Sequence, residues 1–364
     1  MDSYFLLITA LNIFVLGFMC VLVSLNETLN PRQARGFLYT FLLIAMISVL
    51  ELITVLVDGG PLWLRPLHIL ANYLGFGLTP AVPLFMVYTL DHTGHVCESL
   101  KVAVVLEAVY FLILTLSLFT GGLVFRVDVD NHYTRLAGFS VYMVMYYAGI
   151  GFLMYHLLEM VRFFQNQGRG LIYALAAFLA LGTCVQIWVP SVHITWLCVT
   201  TLTVLYYLYC NEMWSRLDGL TGLLSQKSYL NRTLNLRPED RMLIVLDLDD
   251  FKHVNDTYGH LAGDRCLREI AKCMKKAYTG YGSCYRIGGD EFCVLLSRPE
   301  KEVFCRERFL WNMTKTREKF KILPYISYGS AMRDERESIR DTKARADQKM
   351  YQDKKEHKAA KYVL

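Results

Sequence analysis

Along roughly the first 210 residues apolar side chains run almost unbroken, and beyond that point they thin into short periodic groups. The apolar part holds about seven stretches: near Tyr4–Leu25, Phe37–Val57, Leu67–Leu90, Val102–Phe125, Phe139–Val161, Leu171–Val189 and His193–Cys210. Each is long enough to cross a bilayer, which takes roughly 20 helical residues. Pro80 and Pro83 predict a kink in the third. The polar part alternates strand and helix signals. Met242–Leu248 reads as a buried strand ending in acids, and Leu261–Ala277 has helical apolar spacing. Ser283–Ile287 and Phe292–Ser297 read as strands joined by a turn over Gly288–Glu291. A charged helix over Val303–Phe320, a strand over Pro324–Ala331 and a helix over Ile339–Lys355 follow. The expectation is an all-α, seven-helix transmembrane domain over 1–210, a short connecting helix over 211–217, and an α+β domain over 218–364 with helices against a mostly antiparallel sheet. Asp218, Gly219 and Gly222 mark the break between helix and domain.

Charge sharpens this division. Residues 1–210 carry 8 Lys and Arg against 10 Asp and Glu, leaving 30 and 23 for the remainder, so net charge moves from −2 to +7. The loops after helices 1, 3 and 5 carry Arg32, Arg35, Lys101, Arg162 and Arg169, against Arg65, Arg126 and Arg135 on the other side. This positive-inside bias predicts an outer N-terminus and a cytoplasmic C-terminus. The first stretch lacks a basic flank and an A-x-A-type cleavage site, so it reads as a retained helix. The ten cysteines form no CxxC pair and read as small buried hydrophobes of a reducing compartment. Glu51, Glu107 and His156 lie inside apolar runs, either as a ligand or proton site or as neutral, hydrogen-bonded groups between helices.

Candidate chemistry gathers where two acid-bearing segments can meet. In LDLDDFKHVND (Leu246–Asp256), strand alternation puts Asp247 and Asp249 on one face and Leu248 in the core. The turn in RIGGDEFCVLL (Arg286–Leu296) adds Asp290 and Glu291. Like charges brought together repel, and a hard divalent cation on oxygen ligands, Mg²⁺ with a phosphate sharing its shell, would relieve them. Gly288 and Gly289 would permit positive φ in the turn and let a bulky substrate approach the backbone.

Together RIGGDEF, LDLDDFKHVNDTYGHLAGD, DGLTGL and ARADQKMY (Ala344–Tyr351) resemble the GGDEF domain of bacterial diguanylate cyclases, over about Asp218–Lys358. Separately, ANYLGFGLTPAVPLFMVYTLDHTG (Ala71–Gly94) resembles part of the seven-helix sensor that precedes some bacterial histidine kinases. The first resemblance implies a palm-like sheet shared with nucleotide cyclases and polymerases, and condensation of two GTP into cyclic di-GMP and pyrophosphate. It implies that Asp247, the Leu248 carbonyl, Asp290 and Glu291 hold Mg²⁺, two ions per site, with Mn²⁺ as a substitute. Asp290 and Glu291 are the alternatives for accepting the 3′-hydroxyl proton. Asn255 and Asp264, with His260 nearby, would read guanine, though His260 and Asp264 are also placed to cap a helix. Backbone amides of Asp250 and Phe251, with Lys252, Lys354 and Lys358, would hold the triphosphate, and Gly288 and Gly289 would border the nucleotide. One domain would bind one GTP, so a homodimer is implied.

Departures from the family pattern are specific. Thr279 and Gly282 stand where an inhibitory product site would have Arg and Asp, so product inhibition of that kind is not expected. Lys358 stands for an arginine, with His357 before it and Ala359 after it. The expected protein is a multi-pass enzyme of the bacterial inner membrane, with its GGDEF domain in the cytoplasm and an unknown input ligand at the seven-helix domain. Nucleic acid is not an expected partner. The alternative is a catalytically silent GTP-binding receptor. A transporter is disfavoured, because no pair of broken helices or internal repeat is visible.

Overall fold

The computed structural model describes residues 3–27, 29–90, 98–163, 170, 173–174, 177, 195–334 and 336–361. The chain divides into two compact units, Met1–Asn211 and Glu212–Leu364.

The first unit is helical: α1 (Ser3–Leu25), α2 (Pro31–Val57), α3 (Arg65–Leu78), α4 (Ala81–Leu90), α5 (Glu98–Ser117), α6 (Phe139–Phe163) and α7 (Thr195–Ser215), the division between units falling inside α7. Five segments are long and apolar enough to span a membrane: Tyr4–Leu25, Pro31–Val57, Leu62–Leu90, Glu98–Ser117 and Phe139–Met160. The expected seven are therefore not reached among the described residues. The stretch Leu171–Val189 lies almost wholly outside them, and the threonines and tyrosines of α7 dilute its apolar run. The third stretch is broken rather than bent: α3 stops at Leu78 and α4 starts at Ala81, with Pro80 between them. The fourth ends at Ser117, not Phe125, because Gly121 and Gly122 take φ of 93° and 94° and turn the chain. A small antiparallel hairpin follows, β1 (Phe125–Val127) with β2 (Tyr133–Arg135). Its turn residue Asn131 is fully buried and donates to Val57 O and Gly60 O, which pins the hairpin on the end of α2.

The second unit is a four-stranded sheet covered on both faces. Its strands are β3 (Met242–Leu248), β4 (Gly282–Arg286), β5 (Glu291–Leu296) and β6 (Ile326–Met332), in the order β4-β5-β3-β6, every pair antiparallel. Its helices are α8 (Gln226–Leu234), α9 (Phe251–Tyr258), α10 (His260–Tyr278), α11 (Glu302–Lys319) and α12 (Ile339–Lys361). Strand alternation sorts β3 into two layers. Ile244, Leu246 and Leu248 meet Ile270, Met274, Phe309 and Met313 of α10 and α11. Leu243 and Val245 meet Tyr229, Tyr285 and Ala346 on the side of α8 and α12. Burial on both faces explains why β3 is a continuous apolar run. Cys266, Cys273, Cys284, Cys293 and Cys305 are all buried and free.

Candidate functional site

The site forms where β3 stops being apolar. Asp247 continues the layer of Leu243 and Val245 but lies at the strand end, and its register partner on β5 is Glu291. One residue on, the Leu248 N–H donates to Asp290 O at 3.3 Å, so the turn lies beside the strand end. Asp249 N–H donates to Tyr325 O, while its carboxylate accepts from Ser327 Oγ at 2.6 Å and lies 2.8 Å from His357 Nδ1. Strand β3, the β4–β5 turn and α12 thus converge on one corner.

Electrostatics there are dominated by crowded acids. Asp247 is 9% exposed and ion-paired to Lys354 Nζ. Burial pushes its carboxyl up; Lys354 opposes this, but the charges of Asp290 and Asp249 add to burial and the carboxyl stays above its usual value. Burial alone would lower Lys354, yet Asp247, Asp249 and Asp290 outweigh it and hold the ammonium above its ordinary value. Among the described residues no three acidic, histidine or cysteine side chains are grouped to grip a metal as they stand. The donor set nevertheless suits a hard divalent cation: buried Asp247 feels two neighbouring carboxylates, and a positive charge already sits on its oxygen.

Next to the acids the chain makes an anion cradle. Asp250 adopts a left-handed conformation (φ 53°) directly before α9, and no side chain caps that helix. A left-handed residue followed by uncapped helical amides is a concave set of N–H donors, suited to phosphate. Asp250 and Lys252 are exposed there and Phe251 is half-buried. Asn255, on α9, packs against the first turn of α10, and this contact needs Gly263: a Cβ at that position would collide with Asn255 Oδ1. Asp264 is half-exposed on α10, 4.0 Å from Arg268, and His260 is exposed at the first residue of that helix. Lys358 is exposed on α12, whereas His357 turns to Asp249.

The glycines of the turn need a different account from the expected one. Neither Gly288 nor Gly289 has positive φ. Their use is space: Gly289 faces an open surface, and a Cβ on Gly288 would lie 3.2 Å from Glu291 Cβ and Oε2. What shapes the turn is Arg286, whose Nη2 and Nε donate to Gly289 O at 2.7 and 3.3 Å while Nη1 reaches Asp218 at 3.1 Å. Burial pushes Asp218 up, but the Thr221 hydroxyl and amide and the Arg286 guanidinium outweigh it, so its carboxyl lies below the usual range. Sequence reasoning missed Arg286, Asp218 and Gly263 as site-building residues. Gly282 is buried in β4, where a Cβ would lie 2.7 Å from Leu295 O, and Thr279 ends α10.

Residues 215–360 match the family described as "Diguanylate cyclase, GGDEF domain". Similar curated proteins include diguanylate cyclase DgcZ of Escherichia coli, 38% identical over 105 residues (28% of this chain, 36% of the relative). Another is an uncharacterized membrane protein of Staphylococcus saprophyticus, 40% identical over 94 residues (24% and 26%). Probable diguanylate cyclase DgcI of E. coli is 32% identical over 147 residues (39% and 32%). The matches thus span about a third of the length of these relatives. Among solved structures, the GGDEF domain of DgcB from Caulobacter crescentus in complex with c-di-GMP is 28% identical, covering 38% of this chain and 90% of that one, with a TM-score of 0.34. The folded unit after the apolar helices is a GGDEF domain.

Proposed function

We propose that the chain is a membrane-bound diguanylate cyclase, in which residues 218–364 condense two GTP into cyclic di-GMP and pyrophosphate and residues 1–210 supply sensory input. The observation that carries this reading is the convergence of Asp247, Asp290 and Glu291 at one strand end, beside the uncapped start of α9.

The chemistry assigns roles to this chain's own groups. The amides of Asp250 and Phe251, with Lys252, hold the triphosphate. Lys354 exchanges Asp247 for phosphate when GTP enters, and Lys358 adds charge from the same helix. Asn255 and Asp264 face the guanine edge, whose paired N–H donors suit a carboxylate, with His260 at the rim. Gly288 and Gly289 leave room for the nucleotide against the turn. Glu291 or Asp290 accepts the proton of the attacking 3′-hydroxyl. Asp247, the Leu248 carbonyl, Asp290 and Glu291 would hold a divalent cation, Mg²⁺ by preference and Mn²⁺ as a substitute, which when bound would neutralise charge on the α-phosphate and leaving oxygen. Each domain holds one GTP, so two chains must face each other, and the active species is a homodimer. The five apolar spans and the distribution of basic loops support an inner-membrane protein with its GGDEF domain in the cytoplasm.

Purified chain incubated with GTP and Mg²⁺ should yield cyclic di-GMP and pyrophosphate on ion-exchange separation. Asp247→Ala and Glu291→Gln should lower the rate by roughly 10³-fold or more, as loss of charge stabilisation does. Recovery of only intact GTP, even from an artificially dimerised chain, would establish a silent GTP receptor instead.

A further inference from the structure

The end of β3 is tied to α12 by two acids. Asp247 pairs with Lys354, and Asp249 meets His357 one turn further along the helix, with Nδ1 2.8 Å from Oδ2. The cyclase chemistry gives Lys354 a task and His357 none. A carboxylate only accepts, so His357 Nδ1 carries the proton. Nε2 lies 4.0 Å from Asp353 Oδ1, and Asp353 is itself fixed by accepting the Tyr328 N–H at 2.8 Å. The Tyr325 ring flanks the imidazole, with 6.3 Å between centres. A ring with both nitrogens turned to acids is a strut rather than a phosphate ligand.

Asp249 is what the strut holds. Its N–H donates to Tyr325 O at 2.9 Å, Oδ1 accepts from Ser327 Oγ at 2.6 Å, and Oδ2 takes the imidazole. The carboxylate is largely buried, so these bonds compete little with water. The next residue, Asp250, has φ 53°, an angle that residues with a Cβ rarely take and that persists where neighbours impose it. That angle shapes the concave set of amides at the start of α9. An anchored Asp249 is therefore the near abutment of the phosphate cradle.

We propose, on the reading of these amides as the triphosphate site, that His357 is a positioning residue for GTP: by holding the Asp249 carboxylate it keeps the backbone of Asp250 and Phe251 in its phosphate-binding arc. The same bond anchors α12 during substrate entry. When Lys354 exchanges Asp247 for phosphate, His357 still holds Asp249, and the helix that carries Lys354 and Lys358 stays against the strand end.

The test pairs two substitutions of equal shape, His357→Asn and His357→Leu. Asn carries an N–H donor on Cγ, where histidine carries Nδ1, and Leu carries none. The probe is 3′-deoxy-GTP, which lacks the attacking hydroxyl and so reports binding without turnover. It is titrated with Mg²⁺ into the full chain in lipid nanodiscs and followed by calorimetry. His357→Leu should bind it roughly tenfold more weakly than wild type, the lower range for a hydrogen bond to a charged group, and His357→Asn should stay within about threefold of wild type. In turnover of GTP, the KM of His357→Leu should rise by a similar factor with kcat changed about threefold or less, since the amides hold the triphosphate alike before and during reaction. Affinity of His357→Leu within about twofold of wild type, His357→Asn binding no better than His357→Leu, a fall in kcat with KM unchanged, or absence of binding by wild type would each overturn the proposal. A wild-type chain that binds the analogue but leaves GTP intact would overturn the cyclase reading instead, and the strut would be judged by affinity alone.

Discussion

Arg286→Ala is expected to loosen the β4–β5 turn while leaving the sheet standing. The side chains of Arg286 and Asp218 are 15% and 23% exposed, and their closest atoms are 3.1 Å apart. At that separation and an effective dielectric of about 20, the bare attraction is about 5 kcal/mol. Withdrawal of both charges from water offsets most of it. Exposed pairs contribute at most about 1 kcal/mol and breaking a buried one costs about 3–5, so this half-buried pair belongs near 2 kcal/mol. In a unit of this size that is a fall in melting temperature of roughly 4–8 °C. A double-mutant cycle with Asp218→Ala, read by thermal melting of Glu212–Leu364, should give a coupling of about 1–2 kcal/mol. The two bonds to Gly289 O add a kinetic consequence, because Asp290 and Glu291 follow that carbonyl directly. Turnover of GTP should fall roughly 10–100-fold through misplacement of the acids, with KM changed about twofold or less. Arg286→Lys should not restore it, since one ammonium cannot span both acceptors. A coupling below about 0.3 kcal/mol, within ordinary additivity, together with unchanged turnover, would refute the assignment of Arg286 as the residue that positions the turn.

Three further outcomes follow from the same structure. Gly263→Ala should raise the KM for GTP by roughly tenfold with a smaller effect on melting, because the new methyl collides first with the Asn255 side chain and meets the Phe251 ring edge less severely, at 3.2 Å. Since the Asp218 carboxyl lies below its unfolded value, its contribution to stability is complete above about pH 4 and is lost as pH falls through the lower folded value. Asp218→Asn should therefore lower the melting temperature at pH 7 and cease to differ from wild type in strong acid. Cys293→Ser, at a fully buried position in β5, should cost about 1–3 kcal/mol in urea unfolding by leaving a hydroxyl in an apolar layer.

What could be read from the chain depended on how local the cause was. β3 was legible to the residue because a strand buried on both faces leaves a plain apolar run, and the acids at its end were visible for the same reason. The β4–β5 turn followed from two apolar runs meeting at glycines. Helices α8 and α9 were missed because they are short and mostly polar, and α9 hides inside the acid-rich run that drew attention to the site. The tie between Asp218 and Arg286 joins residues 68 positions apart, a distance no local pattern spans. Gly263 had a signal in hindsight, a lone glycine inside a helical pattern, but what it makes room for lies on another helix. For Gly288 and Gly289 the residue type was informative and the reason was not: small size was wanted, not an unusual backbone angle.

One strand carries both the greasy seams of the domain and its acidic corner. Slipping β3 by a single position against β5 would swing Asp247 toward Ile270 and Phe309 and thrust Leu248 out to the other side. Misaligned chains are thereby penalised twice, by a carboxylate stranded in oil and by lost packing. Assembly of the acidic corner is in this sense proofread by the interior: a copy that has closed its hydrophobic layers already has Asp247 on the side of Lys354.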